Sequence, residues 1–222
     1  MAGPGVGAHK DPKMTSVFGT VSVSEQFCHL LGLHPTRSLP VSTINGLVNA
    51  DDTPIIEAGI ETANRIGTEF EAAVARGEIT EAQLFDERYR EIPGTNPKQF
   101  LTDYVRFTDR VLPPIQDPLR KSDPRIVFCV AWARSGYLPT HNPEYSQQPG
   151  DDPAWNAAYC RNRRMFNDRA VQKVAANTKP FLLQTYRRDM GGGKFMLMKD
   201  LSSPIIVNGR HWGAFRIGFR HV

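Results

Sequence analysis

Long apolar runs and cysteines are both scarce in this sequence. No uninterrupted apolar stretch approaches the roughly 20 residues that a membrane-spanning helix requires, and the N-terminus lacks the apolar core of a secretory signal. Cys28, Cys129 and Cys160 include no CxxC pair. These absences argue against both a disulfide framework and a cysteine-rich zinc site. They favour a cytoplasmic protein without a membrane segment.

A large excess of charge of one sign is also missing. The formal net charge is +4, and basic and acidic residues are interspersed except at 161–164 and 187–188. Such a distribution predicts a weak attraction for anions and no nucleic-acid interface.

What remains is the composition of an ordinary globular protein, with 222 residues of which 40% are hydrophobic. Glycine and proline open the chain without a clear pattern, so residues 1–50 are expected to form a poorly ordered or weakly structured extension. Residues 51–222 are expected to form a helical lead-in followed by a sheet domain.

The lead-in begins with a long helix predicted over 54–76, with Thr53 before it and Gly77 after it. Its stripe has helical spacing and comprises Ile56, Ile60, Ala63, Ile66, Phe70 and Val74. A homodimer through this helix is expected. Thr80 starts a short second helix by its capping-box spacing, and Asn96 starts a third, predicted to stop at Pro113.

The second half of the chain is rich in β-forming residues. Its predicted strands cover 126–132, 137–142, 181–188, 194–206 and 211–219, with a helix over 154–166. Asn208 and Gly209 form the strongest hairpin signal, between the last two strands. The order predicts an α+β fold with N-terminal helices and a five-stranded antiparallel sheet, over which the helical segment between strands 2 and 3 encloses a hollow.

Several motifs occur in a specific order along the chain. They are GYLPTHN at 136–142, WN at 155–156, CRNRR at 160–164, DR at 168–169, NT at 177–178, FLLQTYRRDMGGG at 181–193 and GRHWG at 209–213. Together they resemble the sensory, Cache/PAS-like region of bacterial methyl-accepting chemotaxis proteins over about residues 53–221. Two features depart from that family, since Ala133 stands where an acidic residue is usual, and the coiled-coil signalling domain is missing.

The resemblance implies a sensor module of a chemotaxis or signal-transduction system that binds a small polar or anionic ligand between sheet and helix. The candidate ligand-binding residues are Tyr137, His141, Trp155, Cys160, Arg161, Arg164, Tyr186, Arg188, Lys199 and Trp212.

The arginines carry the prediction of an anionic ligand. Helical spacing would place Arg161 and Arg164 on one face, where a guanidinium group holds carboxylate or phosphate. Solvated cations at a helix end explain the same pattern without a ligand. On the third strand, Tyr186 and Arg188 share one face, and pairing with Lys199 or Asp200 is the alternative to a ligand there.

No motif predicts catalysis or a resident cofactor. His141 and His211 lack HxxxH or HExxH spacing, so haem bound by either is an alternative without sequence support. Cys160 lies in no nucleophile motif. The chain is therefore interpreted as a binding module and not an enzyme, and the main alternative is a scaffold acting through its helical half.

Overall fold

The computed structural model describes residues 15–19, 50–167, 169–189 and 195–221. Within them the chain has an α+β arrangement, in which one long helix lies against a face of an antiparallel sheet. Of the expected extension over 1–50, all but 15–19 and residue 50 falls outside the described residues.

The long helix, α1, spans Thr53–Ala75. Pro54 lies in its first turn, where the N–H group that proline lacks has no partner in a helix. The predicted stripe is the buried side, and it packs on the sheet of the same chain. The homodimer stays a prediction, and pairing through α1 would use the exposed outer side, which carries Glu57, Glu61 and Arg65.

Two glycines on α1 allow the helix to approach the sheet closely. A Cβ atom on Gly59 would lie 2.5 Å from the Leu201 side chain, and one on Gly67 would lie 2.4 Å from the carbonyl oxygen of Ile206. A larger residue at Gly67 would push the helix away from the sheet, because the contact there is with backbone, whereas at Gly59 the Leu201 side chain would have to move.

Three short helices follow. Helix α2 spans Glu81–Leu84, and the predicted capping box is confirmed, with the Thr80 side chain accepting from the backbone of Gln83. Helix α3 spans Val105–Val111 and helix α4 spans Pro113–Ser122, so Pro113 begins a helix as well as ending the previous one.

The predicted start of a helix at Asn96 is wrong. Strand β2, Arg90–Glu91, pairs instead with strand β3, Phe100–Leu101, as a small hairpin. The backbone N–H of Ile92 donates to the carbonyl of Gln99 at 2.8 Å, which closes the connection. Phe100, which has helical spacing to Tyr104 and Phe107, therefore lies in a strand and not in the helix.

The main sheet joins four antiparallel strands from the second half of the chain. They are β4, Ile126–Ala133; β7, Phe181–Asp189; β8, Phe195–Val207; and β9, Arg210–Arg220, in the spatial order β7-β8-β9-β4. The short strand β1, Thr15–Gly19, pairs along the outer edge of β7. Asn208 and Gly209 both have positive φ, 49° and 74°, which confirms the predicted hairpin turn.

The predicted composition of the five-stranded Cache/PAS-like sheet is wrong, because its second strand lies outside the main sheet. Of the second predicted strand, 137–142, only Tyr137–Leu138 is extended, as strand β5, and it pairs with strand β6, Arg164–Met165, in a separate sheet. Gly136, with φ of 88°, turns the chain between β4 and β5. Pro139 then has no N–H with which to continue a ladder.

The predicted helix over 154–166 is also shorter. Helix α5 spans Pro153–Tyr159, and helix α6, Arg169–Ala176, follows β6 without having been predicted. Among the described residues, no helix is long and apolar enough to cross a membrane.

Candidate functional site

The two faces of the main sheet differ in polarity. The face against α1 is mainly apolar, with Leu201, Ile205 and Phe215 in the main core. Alternation along the strands directs their neighbours to the opposite face, where four polar side chains are buried. These are Gln184, Asp200, Ser202 and Arg216. Polar groups in a sheet face are costly to bury unless they are paired.

An ion pair lies at the centre of this second face. Two N–H groups of the Arg216 guanidinium donate to Asp200, Nε to Oδ1 at 3.2 Å and Nη2 to Oδ2. The guanidinium carbon lies 4.3 Å from the centre of the Trp132 ring. The indole Nε1 of Trp132 is buried and has no hydrogen-bond partner in the described part of the chain.

Further aromatic and guanidinium groups pack in sequence outward from Trp132. The ring of Phe166 lies 4.8 Å from that of Trp132, centre to centre. The guanidinium carbons of Arg161 and Arg164 lie 5.2 and 5.0 Å from the Phe166 ring. The arginine–aromatic cluster is defined here as Trp132, Arg161, Arg164, Phe166, Asp200 and Arg216. It contains three guanidinium groups and one carboxylate.

Local backbone geometry brings the outer arginines together. Arg163 has φ of 60°, a backbone conformation that is uncommon for residues other than glycine, asparagine and aspartate. Its N–H donates to the carbonyl of Leu138 at 2.6 Å, which fixes β6 beside β5. The Arg163 side chain turns away to Asp109, with 2.8 Å between Nη2 and Oδ2. Arg161 and Arg164 then flank Phe166.

The electrostatics of Arg164 differ from those of a solvated surface arginine. Its guanidinium group is partly buried, and this burial lowers its pKa. The group donates to the carbonyl of Ala157 at 3.1 Å, and no carboxylate among the described residues lies within ion-pair distance. Because a guanidinium group stays charged at any physiological pH, this position carries a cation that no carboxylate of the described residues compensates.

Two other predicted site residues lie on the strand next to this cluster. Tyr186 and Arg188 belong to β7, opposite Met198 and Met196 of β8. The side chains of Tyr186 and Arg188 lie outside what the structure describes.

Four of the predicted site residues lie elsewhere. Lys199 is buried on the α1 side and donates to Asp52 at 2.5 Å. Tyr137 is a core residue whose hydroxyl donates to the carbonyl of Phe100. Trp212 is buried under α2, with Nε1 donating to the carbonyl of Leu84, and Trp155 lies exposed on α5.

The structure does not bring the candidate histidines and Cys160 together. His141 and His211 line two different pockets. Burial raises the pKa of both the Cys129 and Cys160 thiols, so both are protonated at neutral pH. In the described ranges, no group of three His, Cys, Asp or Glu residues is arranged to hold a metal ion.

Two pockets open on the surface, and none of the six residues of the arginine–aromatic cluster lines either of them. The larger, of about 560 Å³, lies where α2 meets the ends of β4 and β9, with Tyr89, Arg134 and Arg210 among its walls. The smaller, of about 290 Å³, lies between α3, α4 and the loop after β5, with Asp117 and His141 among its walls.

Sequence reasoning missed the inner half of the cluster. The sequence predicts no binding role for Trp132, and it predicts Asp200 only as a cross-strand partner for β7. Phe166 and Arg216 were not considered. Alternation in β9 was the available signal, because Arg216 follows Ala214 on one strand side between apolar neighbours.

Comparison with known proteins finds no matching family model, no similar curated protein and no similar solved structure. The resemblance to chemotaxis sensors therefore stays a prediction, supported by the sequence motifs alone.

Proposed function

We propose that this chain is a ligand-binding module that takes a small anion at the outer end of the arginine–aromatic cluster. The observation that carries the proposal is the partly buried Arg164 guanidinium, which has no carboxylate partner among the described residues. A carboxylate or phosphate group would supply the missing charge through paired N–H···O bonds.

The surroundings favour an anion over a neutral ligand. Asp200 already pairs with Arg216, so this carboxylate does not neutralise Arg164. Phe166 provides an apolar wall from which water is partly excluded, and electrostatic attraction is stronger where water is excluded. The anion would accept from Arg164 beside the edge of the ring, because the face of an aromatic ring repels negative charge.

A sensory role and a cytoplasmic location are the further parts of this proposal, and they derive from the sequence. The scaffold alternative has less support, since the apolar stripe of α1 is buried against the sheet of its own chain. An output from ligand binding would require the ligand to bind two arrangements of the protein with different affinity.

Thermal unfolding with citrate, malate and inorganic phosphate, each at constant ionic strength set with sodium chloride, tests the proposal. A ligand at 100 times its Kd should stabilise the fold by about 2.7 kcal/mol. Replacement of Arg164 by methionine should abolish the response, because the aliphatic part remains while the charge is lost.

The matched control is Arg65→Met, which removes an exposed arginine from the outer side of α1. This variant should respond to anions as the wild type does. The proposal is wrong if none of the anions raises the unfolding temperature above the chloride reference, or if Arg164→Met retains the full response.

A further inference from the structure

The smaller pocket is lined by a buried histidine, His141, whose Nε2 has no hydrogen-bond partner in the described chain. His141 is 5% exposed, and its ring lies 4.8 Å from the ring of Tyr145, centre to centre. The backbone N–H of Asn142 donates to Nδ1 at 2.7 Å. The neutral ring therefore carries its proton on Nε2, a donor without an acceptor among the described residues, and His141 lines the pocket.

The acidic groups of the pocket differ in how far they are neutralised. Asp109 is fully engaged, since Oδ1 accepts from Thr140 at 2.7 Å and Oδ2 accepts from Arg163 at 2.8 Å. Asp117 accepts only from Nδ2 of Asn142, at 2.8 Å, and no cation among the described residues lies within ion-pair distance of it.

The pocket thus presents one carboxylate without a counter-ion and one uncharged N–H donor. Burial holds the pKa of His141 at about 3, far below 6.5, so the ring adds no positive charge at neutral pH. Asp117 attracts a cation, while Nε2 of His141 requires a hydrogen-bond acceptor. At about 290 Å³ the space lies at the lower end of the volumes of ligand sites, so it admits a small molecule with room for water beside it.

We infer that this pocket is a second binding site, for a small primary amine that carries a hydroxyl group. Its ammonium group contacts the free carboxylate oxygen of Asp117, and its hydroxyl oxygen accepts from Nε2 of His141. The site has the opposite charge preference to the arginine–aromatic cluster, and it stands independently of the function proposed there.

Isothermal titration with ethanolamine, in a buffer free of other amines, tests the inference. The expected result is saturable binding to the wild-type protein and at least about tenfold weaker binding to Asp117→Asn. Asparagine keeps an oxygen for Asn142 and loses only the charge. Glu144→Gln removes an exposed carboxylate that does not line the pocket, and it should bind ethanolamine as the wild type does.

Two further probes separate the contribution of the ammonium group from that of the hydroxyl group. Ethylene glycol lacks the ammonium group and should bind more weakly than ethanolamine, and ethylamine lacks the hydroxyl and should lose the contact with His141. The inference is overturned by the absence of saturable ethanolamine binding, by equal binding to Asp117→Asn, or by equal binding of ethylene glycol. None of these results depends on whether anions bind at Arg164.

Discussion

Lys199 donates a hydrogen bond to Asp52 at 2.5 Å, although 147 residues separate them in the sequence. Both side chains are buried, at 2% and 3% exposure. The pair joins β8 to the residue that precedes α1, so the long helix is held at its start by charge and along its length by apolar packing.

Removal of one member of this pair should destabilise the protein. Lys199→Met removes the ammonium group that donates to the buried Asp52, and the expected loss is about 3–5 kcal/mol of unfolding free energy. Urea unfolding of Lys199→Met, Asp52→Asn and the double variant measures it. The double variant should lose much less than the sum of the two single losses.

The exposed pair Lys98–Glu91, at 2.8 Å, is the matched control. Lys98→Met should cost less than about 1 kcal/mol, because water screens an exposed ion pair. Similar losses at Lys98 and Lys199 would contradict the assignment of a structural role to the buried pair.

A substitution in α1 should reverse the usual effect of replacing glycine in a helix. Alanine has the higher helix propensity, so exposed Gly→Ala changes stabilise a helix by about 1 kcal/mol. Gly67→Ala should instead destabilise by about 1–3 kcal/mol, since its Cβ would lie 2.4 Å from the carbonyl oxygen of Ile206. Thermal unfolding beside Thr68→Ala, an exposed neighbour on the same helix, provides the comparison.

His141 should make the protein sensitive to acid. Burial lowers its folded-state pKa from 6.5 to about 3, so the unfolded chain takes up a proton that the folded chain does not. Its contribution to stability is complete above 6.5 and declines as the pH falls towards 3, by about 1.4 kcal/mol per pH unit.

Replacement of His141 by glutamine removes this titration. Unfolding free energies measured across the same pH range should fall less steeply for His141→Gln than for the wild type. Equal slopes for the two proteins would show that the ring is accessible to protons in the folded state.

The thiols of Cys129 and Cys160 should be unreactive in the folded protein. Both are buried, at 0% and 1% exposure, and burial raises the pKa of each thiol. Alkylation with iodoacetamide at neutral pH, followed by peptide mass spectrometry, should modify neither residue until guanidinium is added. Rapid alkylation of Cys160 in the native protein would instead indicate a reactive thiolate.

Elements defined by local chemistry could be predicted from the sequence. The stripe of α1, the capping box at Thr80 and the Asn208–Gly209 turn depend on residues within a few positions of one another, and all three are observed. The four long strands were predicted within a few residues of their ends.

Elements that depend on distant partners could not be predicted. A short apolar run such as Tyr137–Leu138 fits the edge of the main sheet as well as a separate pairing with Arg164–Met165, and only the folded chain decides between them. Similarly, helical spacing placed Arg161 and Arg164 together, but the helix ends at Tyr159, and it is the pairing of β6 with β5 that brings them to Phe166.

The two close glycine contacts of α1 restrict how this helix can move. Lifting it off the sheet would expose Ile56, Ile66 and Phe70 to water, at about 1.5–3 kcal/mol for each side chain. A displacement of the helix along the sheet would bring residues that carry a Cβ atom to the positions of Gly59 and Gly67, against Leu201 and Ile206. The two glycines therefore fix the position of α1 along the sheet as well as its distance from it.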